Sequence, residues 1–221
     1  MTKETRTACA LAVGSLLLLA TETNAGFEVI EAHGLASAQI GDGPVILDED
    51  WSMPLEVSAF AAGPEGIVAG TGSTFDIGHG FTGLTTAQAN SWIPSPLLAA
   101  GTIMDFTFVV DSNIASSLSV DMMLMSNGDA FGSVSLLIQD LTDDMTLLTW
   151  QQSSGQTSIE TMLDLTEGHT YQFVATSDGG VADGGVGSMT STLYFQMLLP
   201  APGALGLFGL ACMATKRRRR R

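Results

Sequence analysis

Between Arg6 and Lys216 the chain contains neither lysine nor arginine. All eight basic residues sit at the two ends: Lys3, Arg6, Lys216, Arg217, Arg218, Arg219, Arg220 and Arg221. Acidic residues are distributed the other way, because of 23 Asp and Glu only Glu4 and Glu22 lie outside residues 26–199. A surface of one sign without counter-charges repels phosphate backbones, which excludes nucleic acid as a partner. It also repels anionic membrane faces and acidic polymers, and it suits cations, high salt, or basic or neutral partners.

Cysteine is nearly missing as well. Cys9 and Cys212 both fall in the terminal segments, so the body has neither a disulfide framework nor a thiol nucleophile. Cys9 precedes the apolar run instead of following it, which excludes the lipid-bearing cysteine of a lipoprotein. Catalytic motifs are absent too: there is no G-x-S-x-G elbow, no P-loop and no dinucleotide fingerprint. His33, His79 and His169 have no partner at metal-ligand spacing, so the pattern argues against zinc. No enzyme is expected. A hydrolase would need two carboxylates converging in a cleft, which spacing along the chain cannot reveal.

What is present begins with the two ends. Lys3 and Arg6 precede an apolar run from Ala8 to Ala20, and Thr23 and Ala25 then offer small residues. That is the layout of a secretory signal peptide over residues 1–25, cleaved between Ala25 and Gly26; the alternative is an uncleaved anchor. At the other end, "PAPG" at Pro200, Ala201, Pro202 and Gly203 leads into an apolar stretch and then the Lys216–Arg221 cluster. From Leu198 to Ala214 the apolar segment is 17 residues, the short limit for a membrane-crossing helix. By the positive-inside rule the arginines stay in the cytoplasm. An exported body would thus be held at the membrane by residues 198–221, facing outward.

The tail "PAPGALGLFGLACMATKRRRRR" resembles a PEP-CTERM sorting segment, with its Pro-x-Pro motif, short Gly- and Leu-rich helix and terminal arginines. Here Ala201 stands where the namesake motif has glutamate. The resemblance covers only this tail and the accompanying signal peptide. It implies processing by an exosortase, a membrane transpeptidase-like enzyme of bacteria that make exopolysaccharide, with cutting near Pro200 to Gly203. An ordinary C-terminal membrane anchor is the alternative.

The body, residues 26–197, is one domain. Its charge imbalance alone would suit a disordered chain, but its apolar residues recur with period two. Met104, Phe106, Phe108 and Val110 share one face of a strand, and Leu118, Val120, Met122 and Leu124 share another. Val134, Leu136 and Ile138, then Leu148 and Trp150, then Tyr171, Phe173 and Ala175, then Leu193, Phe195 and Met197 repeat the pattern. Short alternating runs between turns predict an all-β fold, an antiparallel, jelly-roll-like β-sandwich, with helices only in the signal peptide and the tail. Asn127-Gly128 predicts a tight reversal. Residues 84–100 break the pattern and predict a long loop with one helical turn, residues 70–81 a flexible glycine-rich crossover, and Trp150 a place in the core.

No cofactor is expected. If an ion binds, it is calcium, with candidate ligands Asp48, Asp50, Asp178 and Asp183 in acidic, glycine-bearing stretches that match no EF-hand. Asp and Gly are equally ordinary turn formers. The function expected is an exported structural protein, membrane-held and then at the cell surface or in the extracellular matrix. Its partners would be signal peptidase, an exosortase, the membrane through its tail, and matrix exopolysaccharide. The alternative is a carbohydrate-binding module, with Trp51 and Trp92 as candidate platforms and Trp92, in the expected loop, favoured.

Overall fold

A computed structural model describes residues 26–76 and 80–198. The signal peptide with Ala25, the sorting motif Pro200–Gly203 and the basic cluster Lys216–Arg221 lie outside the described residues, as do both expected helices.

The described chain is built from strands: β1 (Phe27–Ile40), β2 (Ile46–Asp50), β3 (Leu55–Ala62), β4 (Gly66–Asp76), β5 (Gly80–Ser91), β6 (Leu98–Val110), β7 (Ile114–Gly128), β8 (Ala130–Asp140), β9 (Met145–Gln152), β10 (Gly155–Leu165), β11 (Thr170–Val181) and β12 (Gly187–Leu198). They form two six-stranded sheets ordered β2-β1-β6-β11-β8-β9 and β10-β7-β12-β5-β4-β3. Every pairing is antiparallel. The β-sandwich expected from the alternation is present.

The inward faces are those the alternation named. Met104, Phe106, Phe108 and Val110 are buried, as are Leu118, Val120, Met122 and Leu124 and the matching residues of β8, β11 and β12. Phe106 on β6 stacks on Phe173 of the neighbouring β11, with centroids 4.9 Å apart. Phe81 of the opposite sheet meets Phe106 edge-on at 4.5 Å, and Phe195 lies 4.6 Å from Phe173. Aromatic pairs in such offset and T-shaped arrangements add ~0.5–1.5 kcal/mol each beyond the area they bury.

Away from the aromatic cluster, small side chains share the interior with Leu55, Val57, Val68 and Leu98. Ala36, Ala38, Ala59, Ala87, Ala89 and Ala100 are buried there. A Cβ placed on Gly70 would lie 2.4 Å from the carbonyl oxygen of Gly101 in the opposite sheet. Glycine is needed at this point because two backbones meet. Buried hydroxyls bridge the sheets: Thr102 Oγ1 donates to the carbonyl of Thr86 at 2.9 Å, and Thr85 Oγ1 and Ser177 Oγ are 2.8 Å apart.

This thin half explains two departures from expectation. The supposed loop at 84–100 is instead the end of β5 and the start of β6, with only residues 92–97 between them. Its inward residues Thr85, Ala87, Ala89 and Ser91 alternate faithfully, but Ala, Ser and Thr carry little hydrophobic signal. The glycine-rich stretch at 70–81 is likewise strand on both sides of residues 77–79, with Gly70 and Gly72 giving the opposite sheet room.

Trp150 is also not in the core. It pairs with inward-facing Leu136, but β9 is an edge strand and leaves the ring 40% exposed. The Asn127-Gly128 reversal does form, with Gly128 at φ +63°. It turns the chain from one sheet to the other, because β7 and β8 do not pair.

Candidate functional site

Three of the four acidic residues singled out for calcium, Asp48, Asp50 and Asp178, are spent on the protein's own backbone. Asp48 and Asp50 sit two apart on β2, so both project the same way. Asp48 Oδ2 accepts from the backbone N–H of Ser58 at 2.7 Å. Asp50 Oδ2 accepts from Glu56 N–H at 3.0 Å, and its Oδ1 from Ser52 N–H at 3.3 Å. The Glu56 N–H holds the Asp50 carboxyl below its ordinary value against the opposing effect of burial, with help from Ser52. Asp178 Oδ1 accepts from the backbone N–H and hydroxyl of Ser133 at 3.1 and 2.9 Å. Asp183 is exposed in the β11–β12 connection. The four are not brought together into a cation cage.

A different group does converge. Asp140, at the end of β8, Asp143, in the β8–β9 turn, and His169, just before β11, place one ligand atom each within 4.8 Å of one another. His169 Nδ1 lies 2.8 Å from Asp140 Oδ2 and 3.9 Å from Asp143 Oδ2. Asp140 Oδ1 accepts from the backbone N–H groups of Thr142 and Asp143 at 2.9 and 3.2 Å. The Asp140 carboxyl is 4% exposed. Burial alone would raise its pKa, but the His169 and backbone bonds outweigh that and hold it below the ordinary value. The bond to Asp140 raises the His169 pKa, against a smaller effect of burial and with the charges of Asp140 and Asp143 adding to it. As arranged, both Asp140 oxygens are engaged, and the group clamps the β8–β9 turn to the β10–β11 turn. A metal ion would have to replace the His169–Asp140 bond. The separation of 29 positions between those two residues hid the group from spacing rules; the acidic turn "LTDDM" and the His in "TEGHT" were its only signal.

A second feature lies on the outer face of the β2-β1-β6-β11-β8-β9 sheet. Trp51, just past β2, folds back onto His33 of β1, with ring centroids 3.9 Å apart and planes within 18°. Trp51 is nonetheless 61% exposed. The pair borders a cleft of about 240 Å³ whose other walls include Glu31, Asp105, Thr107 and Gln172. Gln172 Nε2 donates to both oxygens of Asp105, at 3.0 and 3.1 Å. Glu31 follows a bulge in the β1–β6 pairing between Val29 and Glu31, the kind of irregularity that re-aims a side chain. Trp92 is 51% exposed in the β5–β6 connection, its indole N–H donating to the carbonyl of Pro64 at 2.8 Å.

No protein-family profile matches the chain, and no curated protein does. Among solved structures it is similar to an arabinose-bound GH51 α-L-arabinofuranosidase at 13% identity and a TM-score of 0.24, over 52% of this chain and 22% of that one. The match thus takes in less than a quarter of the enzyme, and a likeness so slight assigns neither a shared fold nor an activity.

Proposed function

We propose that this chain is an exported structural protein of the bacterial cell surface or extracellular matrix. Residues 1–25 direct export and are removed by signal peptidase, and residues 198–221 hold the body at the membrane until an exosortase cuts near Pro200 to Gly203. The observation that supports a structural role is how the body uses its acids. In a domain without Lys or Arg, the carboxylates of Asp48, Asp50, Asp111, Asp129, Asp140 and Asp178 all accept hydrogen bonds from backbone N–H groups. Charge-assisted bonds of this kind are stronger than neutral ones, and they tie connections and edges together in a self-contained scaffold.

The test is to express the whole chain in a bacterium that carries an exosortase, fractionate the cells and determine both termini by mass spectrometry. The expected product begins at Gly26, lacks the arginines and is found at the surface or in the medium. A full-length product in the cytoplasm overturns the proposal.

A second reading, carbohydrate binding, is favoured by the exposed faces of Trp51 and Trp92. A glycan array probed with the exported protein separates it from a purely structural role.

A further inference from the structure

We infer that the cleft across β1, β6 and β11 binds an uncharged pyranose ring of a polysaccharide, with Trp51 as its stacking platform; this rests on the carbohydrate-binding reading. His33 stacks on one face of the indole at 3.9 Å, yet Trp51 stays 61% exposed and borders the cleft, so indole surface remains for a ligand there. A pyranose presents C–H groups on its ring face, an apolar surface for that part of the indole to cover. Because the imidazole already holds the indole in one orientation, little side-chain entropy remains to be lost on binding.

The carboxylates beside the platform, Glu31 and Asp105, are acceptors. Asp105 is oriented by the two bonds from Gln172 Nε2, which leaves the Gln172 carbonyl and the remaining carboxylate lone pairs for ligand hydroxyls. Glu31 adds another acceptor and Thr107 a hydroxyl. An acceptor-rich site selects donors, and sugar hydroxyls are donors. The same carboxylates, in a body with no Lys or Arg, repel uronates and sulfated sugars. At about 240 Å³ the cleft is smaller than the ~300–1,000 Å³ typical of sites that enclose drug-sized ligands, so it takes one ring of a longer chain. The larger groove of about 440 Å³ on the other sheet, lined by Ser117, Glu160 and Met162 among others, has no aromatic platform.

The experiment uses the exported protein as the host processes it. It is first applied to an array holding neutral hexose oligosaccharides and oligouronates. The best neutral hexasaccharide is then titrated calorimetrically against wild type, Trp51→Ala, Trp51→Phe and Trp92→Ala, each checked for wild-type folding by circular dichroism. Binding to neutral glycans is expected, weakened about 30-fold by Trp51→Ala, the loss of an aromatic anchor that the ligand covers. Trp51→Phe should retain most of it and Trp92→Ala should change it by less than about twofold. Absence of binding to every glycan overturns the carbohydrate reading itself. Binding that survives Trp51→Ala, or that is lost with Trp92→Ala, overturns this site alone, and preference for oligouronates overturns the ligand class.

Discussion

The carboxylate of Asp48, on the edge strand β2 of one sheet, accepts a 2.7 Å hydrogen bond from the backbone N–H of Ser58, on the edge strand β3 of the other. Asp50 does the same for Glu56, two residues back along β3. An edge strand presents unpaired N–H groups that invite another chain. Here two side chains stand in for the missing strand, and the sandwich is stapled shut along that side.

Replacing both residues, in Asp48→Ala/Asp50→Ala, should remove about 1–2 kcal/mol, since these partly exposed bonds fall in the range of ordinary hydrogen bonds. At ~2–4 °C per kcal/mol for a chain of this size, the melting temperature drops by several degrees. Hydrogen exchange should accelerate at the Glu56 and Ser58 amides specifically. Unchanged protection there means the carboxylates do not seal the edge.

The clamp between His169 and Asp140 gives a pH signature. The His169 pKa is raised from 6.5, so its contribution is complete below about 6.5 and fades as pH rises through the higher folded value. The Asp140 pKa is lowered from 3.8, so its contribution is complete above about 3.8 and fades as pH falls through the lower folded value. The stability difference between wild type and His169→Gln should therefore be greatest between about pH 4 and 6.5 and shrink toward pH 9. A difference that stays flat across that range in thermal melts rules the clamp out.

Phe108 and Thr107 are adjacent on β6 and face opposite ways, Phe108 being fully buried and Thr107 only partly. Phe108→Ala should cost ~3–5 kcal/mol, as for other large core truncations. Thr107→Ser should cost well under 1 kcal/mol, within the range of ordinary surface changes. Chemical denaturation of the two variants measures the contrast, and comparable losses would contradict the alternation of β6.

Gly70 and Gly101 make a comparison that reads the thin half of the core. A Cβ at Gly70 would meet the Gly101 carbonyl at 2.4 Å, whereas one at Gly101 would come no closer than 3.3 Å to Ser37 Oγ. Gly70→Ala should therefore destabilise by ~1–3 kcal/mol through overpacking, and Gly101→Ala should be close to neutral. Equal melting temperatures for the two variants would mean the sheets are not in contact there.

Salt should stabilise this body more than a charge-balanced domain. Like charges on a surface without Lys or Arg repel one another, and ~0.15 M salt screens them beyond ~8 Å. The melting temperature of the exported protein should rise between 10 and 500 mM NaCl, concentrations at which the screening length shortens severalfold. Titrating calcium against magnesium at matched ionic strength adds a second readout. Equal shifts leave screening as the sole effect, and a calcium-specific rise would point to a bound ion.

Much of this fold was legible along the chain. Period-two alternation of large apolar residues marks a half-buried strand because successive side chains leave opposite faces of a pleated backbone, so Phe106, Phe108, Phe173 and Phe195 declared their burial locally. The confinement of every Lys and Arg to the two ends likewise needed no structure, since a charge imbalance of that kind acts through the whole surface wherever the strands fall. Where the inward residues are Ala, Ser, Thr and Gly, the same alternation carried almost no hydropathy contrast, and β5 was hidden although it obeys the rule. Tertiary structure alone decided which strands are edges, and so that Trp150 is exposed. It alone joined Asp48 to Ser58, Asp140 to His169 and Trp51 to His33. Those contacts link different strands and connections, and their positions follow from sheet order and register, which are settled by the packing of the two sheets together and not by any local run of residues.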